Sequence, residues 1–142
     1  MPTRTARTAW NGTLNEGSGQ TELTSSGVGT FDVSFPKRTA ESAEGTTSPE
    51  ELIAAAHSSC FAMAFSGELG KIDATPEQVE VTADVTLGEG RITTIALTVR
   101  GYAAGTDEAG FRSAAEAAKA GCPVSQALAG VDEITLDVSF EG

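Results

Sequence analysis

Apolar and polar residues alternate with a period of two in several stretches of this chain. Phe31, Val33 and Phe35 alternate with Asp32 and Ser34. Val79, Val81, Ala83, Val85 and Leu87 alternate with Glu80, Thr82, Asp84 and Thr86. Ile95, Leu97 and Val99 repeat the pattern, as do Ile134, Leu136, Val138 and Phe140. Each pattern predicts a half-buried strand. Arg4 to Trp10 and Gln20 to Thr24 predict two more strands. Asn11-Gly12 is a two-residue hairpin signal, with Thr13-Leu14 opening the return strand. Pro36 to Thr47 is polar apart from alanine and reads as a loop carrying Lys37-Arg38.

Helical spacing takes over elsewhere. Ser48 suits an N-cap, Pro49 the first helical position, and Glu51 would complete a capping box. From Leu52 to Phe65 no residue is charged on any face, which predicts a buried helix ending near Gly67 or Gly70. A second helix is expected from Asp107, its cap, to Ala120, with Phe111, Ala114, Ala115 and Ala118 facing inward. A short helix follows from Pro123 to Leu128. Hairpins rather than repeated βαβ units give an α+β class, with antiparallel sheet covered by long helices.

The chain of 142 residues suits one domain, residues 1–142, large enough to build a core without staples. Nine Lys and Arg face twenty Asp and Glu, a formal net charge of −11. Phosphate backbones and anionic membrane surfaces are poor partners for such a chain. Met1 to Arg7 leads into polar residues with no signal-type apolar segment. The apolar run Leu52 to Phe65 is shorter than the roughly 20 residues of a membrane span. The reading is a soluble, cytoplasmic protein, where thiols stay reduced.

The candidate chemistry lies in few residues. Cys60 and Cys122 are the only cysteines, so any thiol chemistry uses them as a pair. Cys60 sits well past the positive end of its helix, and burial alone would raise its pKa. A reactive Cys60 therefore needs a borrowed cation. His57, the only histidine, lies three residues back on the same face, and Arg38 is the other candidate. Cys122 opens a short helix whose free amides favour a thiolate. Glu50 precedes Cys60 by ten residues, about 15 Å along a straight helix. It would reach only the Cys60 of an antiparallel partner chain. Each residue also has a plain alternative: core packing for Cys60 and His57, capping for Cys122, a first-turn acid for Glu50. Three scattered His and Cys residues make a weak metal site, and no GxSxG elbow is present.

Two segments carry a family resemblance: Ser48-Pro49-Glu50-Glu51-Leu52-Ile53-Ala54-Ala55-Ala56-His57-Ser58-Ser59-Cys60-Phe61 and Cys122-Pro123-Val124-Ser125. Together they resemble the OsmC/Ohr family of osmotically inducible and organic-hydroperoxide-resistance proteins. His57 and Val124 look like the OsmC branch. The resemblance implies an intertwined α+β homodimer, with antiparallel sheets around a long buried central helix and sites shared between subunits. It implies a peroxidase of oxidative or osmotic stress defence that reduces organic hydroperoxides, and hydrogen peroxide more weakly, to alcohols. Cys60 would be the peroxidatic thiol and Cys122 the resolving one, forming a Cys60–Cys122 disulfide. Arg38 would steady the thiolate and Glu50 would hold Arg38. Phe61 and His57 would contact substrate, with Met63, Phe65 and Phe35 as further lining. An external dithiol would recycle the enzyme, and neither metal nor cofactor would be needed. The alternatives are a non-catalytic dimeric binding or structural protein and a cysteine hydrolase using Cys60 and His57.

Overall fold

The computed structural model describes residues 1–142 as two compact units, Met1–Leu52 and Ile53–Gly142. In the first unit, strands β1 (Arg7–Asn11), β2 (Ser18–Glu22) and β3 (Thr30–Val33) form an antiparallel sheet in that order. Asn11-Gly12 does not make the two-residue hairpin expected of it. Asn11 pairs with Ser18, so residues 12–17 form the connection and Thr13-Leu14 is turn rather than strand. Gly12 has a φ of +98°, and its carbonyl accepts a hydrogen bond from Trp10 Nε1 at 2.9 Å. Thr13 then closes a wider turn by accepting the Gly17 amide at 2.7 Å. The left-handed glycine is used as the signal suggests, but by a longer loop.

The stretch read as loop begins with a helix, α1 (Phe35–Thr39). Ser34 caps it by accepting the Lys37 amide at 3.3 Å, and Pro36 sits in its first turn. Arg38 is thus fixed on a helical turn rather than on a free loop. Helix α2 (Pro49–Gly70) opens with the Glu51 amide donating to Ser48 Oγ at 3.1 Å. The Glu51 carboxylate accepts from Thr47 Oγ1 at 2.6 Å.

The second unit contains most of α2, then β4 (Thr75–Leu87), β5 (Ile92–Ala104), α3 (Glu108–Gly121), α4 (Pro123–Ala127) and β6 (Glu133–Phe140). Its sheet has the order β4-β5-β6. The β4–β5 pairing is antiparallel as expected, but β5–β6 is parallel. The α3–α4 segment carries the chain back across the sheet before β6 starts, as a parallel neighbour requires. Strand β4 begins earlier than its alternation does. Pro76 is tolerated on this edge strand, and the register shifts between Glu77 and Glu80. Opposite the shift, Gly101 has a φ of +149°, and a Cβ there would lie 2.8 Å from the Gln78 carbonyl oxygen.

The core of this unit joins Phe61, Phe65 and Leu69 of α2, Ile95, Leu97 and Val99 of β5, and Phe111, Ala114, Ala115 and Ala118 of α3. Phe65 meets Phe111 edge to face, with centroids 4.9 Å apart. Asp107 caps α3 by accepting the Gly110 amide.

Helix α2 departs from its expected all-round burial. His57, Phe61, Phe65 and Leu69 form a buried stripe at four-residue spacing, while Ala55, Ala56, Ser59, Met63 and Ser66 are exposed. The remaining small and apolar face is uncovered in a single chain. The helix also runs past Phe65 to 22 residues, long and apolar enough to cross a membrane by length and composition. The expectation that its apolar run is too short therefore rests on the wrong end-point. Its buried stripe belongs to the core of the unit.

Candidate functional site

The first unit brings Arg38 and Glu50 together. Arg38 Nε donates to Glu50 Oε1 at 3.0 Å and to Oε2 at 3.3 Å, and Nη2 donates to Oε2 at 2.8 Å. This is a two-pronged guanidinium–carboxylate contact. The Glu50 side chain is 9% exposed and that of Arg38 34%. The hydrogen bond to Glu50 raises the Arg38 pKa, so its charge is permanent. A cavity of about 370 Å³ in the same unit is lined by Trp10, Leu14, Phe35, Leu52 and neighbouring residues, with Arg38 as its only charged group. Of the side chains considered for a substrate pocket, Phe35 lines this cavity, whereas Phe61 and Phe65 are core residues and Met63 is exposed.

The second unit brings the cysteines together. Both are reduced, and Cys60 Sγ lies 3.1 Å from Cys122 Sγ. Cys60 is half-buried on α2, and Cys122 is fully buried where α3 ends and α4 begins. Burial pushes the Cys60 thiol up, and the hydrogen bond with Cys122 adds to this against a smaller opposing effect of the Val124 amide. For Cys122 burial is again the largest influence. It is outweighed by the Ser125 amide, the Cys60 thiol, the Ser125 hydroxyl and the Val124 amide, so Cys122 falls below the ordinary thiol range. Either sulfur can donate across the contact. The start of α4 favours Cys60 as donor and Cys122 as thiolate.

His57 does not supply the cation that Cys60 needs. It is fully buried, and burial pushes its pKa down, which keeps the ring neutral. Its Nε2 lies 2.6 Å from Ser125 Oγ, and its Nδ1 has no partner. A hydrolase using His57 as base for Cys60 finds no support in this arrangement, and no carboxylate orients the ring as in a hydrolytic triad. Phe61, fully buried and stacked on Phe65 at 6.2 Å, belongs to the core beside the cysteines. No group of three or more His, Cys, Asp and Glu side chains is gathered to hold a metal.

Ser125 is the residue that sequence reasoning passed over. It appears there only as the end of Cys122-Pro123-Val124-Ser125. Its place as third residue of α4 is the usable signal, since a side chain there turns back toward the cap.

The sequence and fold comparisons bear on the family and the fold. The family model described as OsmC-like protein matches residues 41–137, which include both cysteines, Glu50 and His57. The chain belongs to the OsmC family. Peroxiredoxin OsmC of Escherichia coli (strain K12) is 43% identical to this OsmC-family chain over 136 residues, covering 93% of this chain and 92% of that one. An organic hydroperoxide resistance protein from Elizabethkingia anophelis shares the fold with a TM-score of 0.74 at 26% identity, covering 99% of this chain and 98% of that one. The organic hydroperoxide resistance protein OsmC from Legionella pneumophila gives a TM-score of 0.72 at 25% identity, with 98% of each chain covered.

Proposed function

We propose that this protein is a peroxidase, a thiol-dependent reductase of organic hydroperoxides in oxidative or osmotic stress defence. The observation that carries the reading is the pair of reduced sulfurs 3.1 Å apart, one half-buried and one buried. Peroxidase-type relatives add independent support. In the proposed cycle the Cys60 thiolate attacks the peroxide O–O bond. Cys60 becomes a sulfenic acid and the alkoxide leaves as the alcohol. Cys122 then displaces the sulfenic oxygen as water, and a Cys60–Cys122 disulfide forms. Closing the contact to a bond length of about 2.05 Å needs a shift of only about 1 Å. An external dithiol restores both thiols.

Cys60 lacks activation within its own unit, so the reading needs a cation from elsewhere. We assign that role to Arg38, held by Glu50, of a second copy of the chain. The open face of α2 favours such a homodimer, since only 22% of its most apolar stretch is buried. In the dimer the apolar cavity beside Arg38 would take the organic part of the hydroperoxide, with well-hydrated hydrogen peroxide the poorer substrate. Phe61 and His57 would support the reacting sulfurs from the core side. Sulfur supplies the chemistry, so the proposal requires no metal, haem or flavin. It places the protein in the cytoplasm without membrane or nucleic-acid partners, in keeping with its net charge of −11.

A second reading, a non-catalytic dimer with idle thiols, is favoured by one observation: the Cys60 thiol is pushed up rather than down. The variant Cys122→Ser separates the two. The peroxidase reading expects it to consume about one equivalent of cumene hydroperoxide and then stall with Cys60 trapped as sulfenic acid. Mass spectrometry with a sulfenic-acid reagent checks this. No consumption by wild type or variant would leave the idle-thiol reading standing.

A further inference from the structure

Two hydrogen-bonding contacts join helix α2 to the start of α4, and the sulfur pair is only one of them. The other runs from His57 Nε2 to Ser125 Oγ at 2.6 Å, between a fully buried ring and a residue that is 8% exposed. Along the chain the two contacts are matched. His57 precedes Cys60 by three residues on α2, and Ser125 follows Cys122 by three residues on α4. Each spacing is close to one helical turn, about 4.5 Å of rise. The His57–Ser125 bond therefore lies one turn from the sulfur contact on both elements, and the two make a two-point attachment.

Helix α4 needs such a hold. It has five residues, too few to stand without tertiary contacts. The backbone breaks at Cys122, whose φ of −63° and ψ of 121° leave the helical region between α3 and α4. The angle at which α4 departs from α3 is thus not set by continuous helix. Val124 and Leu128 pack half-buried against the core, and Gln126 Nε2 donates an exposed hydrogen bond to the Ala120 carbonyl at 3.3 Å. Apolar packing has no direction, and an exposed hydrogen bond competes with water. The His57–Ser125 bond is both buried and directional. Nδ1 of the uncharged ring has no partner, so the proton sits on Nε2 and is donated to Ser125 Oγ.

We propose that His57 and Ser125 are positioning residues that clamp α4 onto α2 and so hold the Cys122 sulfur within reach of Cys60. The inference rests on the peroxidase reading, which supplies oxidised Cys60, and adds the device that sets the rate of the resolving step. In that step the Cys122 thiolate attacks the sulfenic sulfur of Cys60. The S–S bond forms and the S–O bond breaks. Cys122 is oxidised and the sulfenic sulfur is reduced. The leaving hydroxide takes up one proton, matching the one Cys122 gave up on ionising, and departs as water. The reaction needs the sulfurs near contact, and the clamp keeps them at 3.1 Å before any peroxide arrives.

Rapid mixing of the whole chain with one equivalent of cumene hydroperoxide tests the clamp, by following Cys60 sulfenic acid and then disulfide. Ser125→Ala is expected to slow disulfide formation by roughly tenfold, the worth of one buried hydrogen bond, and sulfenic acid formation far less. The factor should be the same at pH 7 and near pH 10, where more of Cys122 is ionised, because position rather than ionisation has changed. His57→Leu should behave alike, and the double variant should be no slower than either single one, since both remove the same bond. His57→Gln, whose amide can still donate, should recover most of the rate lost in His57→Leu. Ser125→Ala deletes one oxygen and carries the test alone where His57→Leu does not fold. A wild-type rate of disulfide formation in Ser125→Ala would overturn the clamp. So would an equal fall in both steps, a loss confined to pH 7, or losses that add in the double variant. Absence of sulfenic acid in the wild type would instead overturn the peroxidase reading. The clamp is then read from the equilibrium of the Cys60–Cys122 disulfide with glutathione, where Ser125→Ala should disfavour the disulfide by the same factor, and an unshifted equilibrium would overturn it.

Discussion

Cys60→Ser is expected to reduce hydroperoxide consumption to the uncatalysed background while leaving the fold intact. The thiolate is the nucleophile toward a peroxide oxygen, and a serine hydroxyl stays un-ionised at neutral pH. Cys122 does not rescue the variant, although its sulfur carries the lower pKa of the two. It is fully buried, whereas Cys60 is half-buried and open to an incoming peroxide. The substitution replaces sulfur by a smaller oxygen in a half-buried place, so folding should survive. Coupled consumption of tert-butyl hydroperoxide with a dithiol reductant measures the loss. Full activity in the variant would remove Cys60 from the mechanism.

Arg38→Ala is expected to lower kcat/KM for organic hydroperoxides by about 10²–10³-fold, the usual effect of deleting one preorganised charge donor. Within its own unit Cys60 is pushed toward the neutral thiol, and the pair's charge rests on Cys122. A guanidinium brought to Cys60 reverses that balance. Without it the pH midpoint of Cys60 alkylation should rise. Arg38→Lys keeps a charge but loses the two-pronged grip of Glu50, so it should fall between. Wild-type kinetics in Arg38→Ala, with an unmoved alkylation profile, would dismiss the borrowed arginine.

Much of the second unit was legible because its elements obey simple periods. The alternation through Val79–Leu87 and Ile134–Phe140 located β4 and β6, and Phe111, Ala114, Ala115 and Ala118 are the buried face of α3. Parallel pairing of β5 with β6 was not legible, since alternation fixes which face a residue occupies and says nothing of strand direction. The first unit was harder. Helix α1 is too short to show a period, and the Ser34 cap with Pro36 was its only signal. The open face of α2 was misread because uncharged alanine and serine fit a buried helix face and an exposed one equally well. Within the site, Cys60, Cys122, Arg38 and Glu50 stood out by chemistry and resemblance. Ser125 did not, because a serine in the first turn after Pro123 looks like ordinary helix-start sequence until His57 is seen against it.

In the proposed cycle the two thiols are one redox pair worked by hydroperoxide. The direct measurement is to treat the reduced wild-type protein with a single equivalent of cumene hydroperoxide and count thiols, alcohol and cross-links per chain. The account predicts that the hydroperoxide disappears as alcohol, both thiols vanish together, and peptide mapping finds Cys60 joined to Cys122 of the same chain. Hydroperoxide left unconsumed beside two free thiols would contradict it.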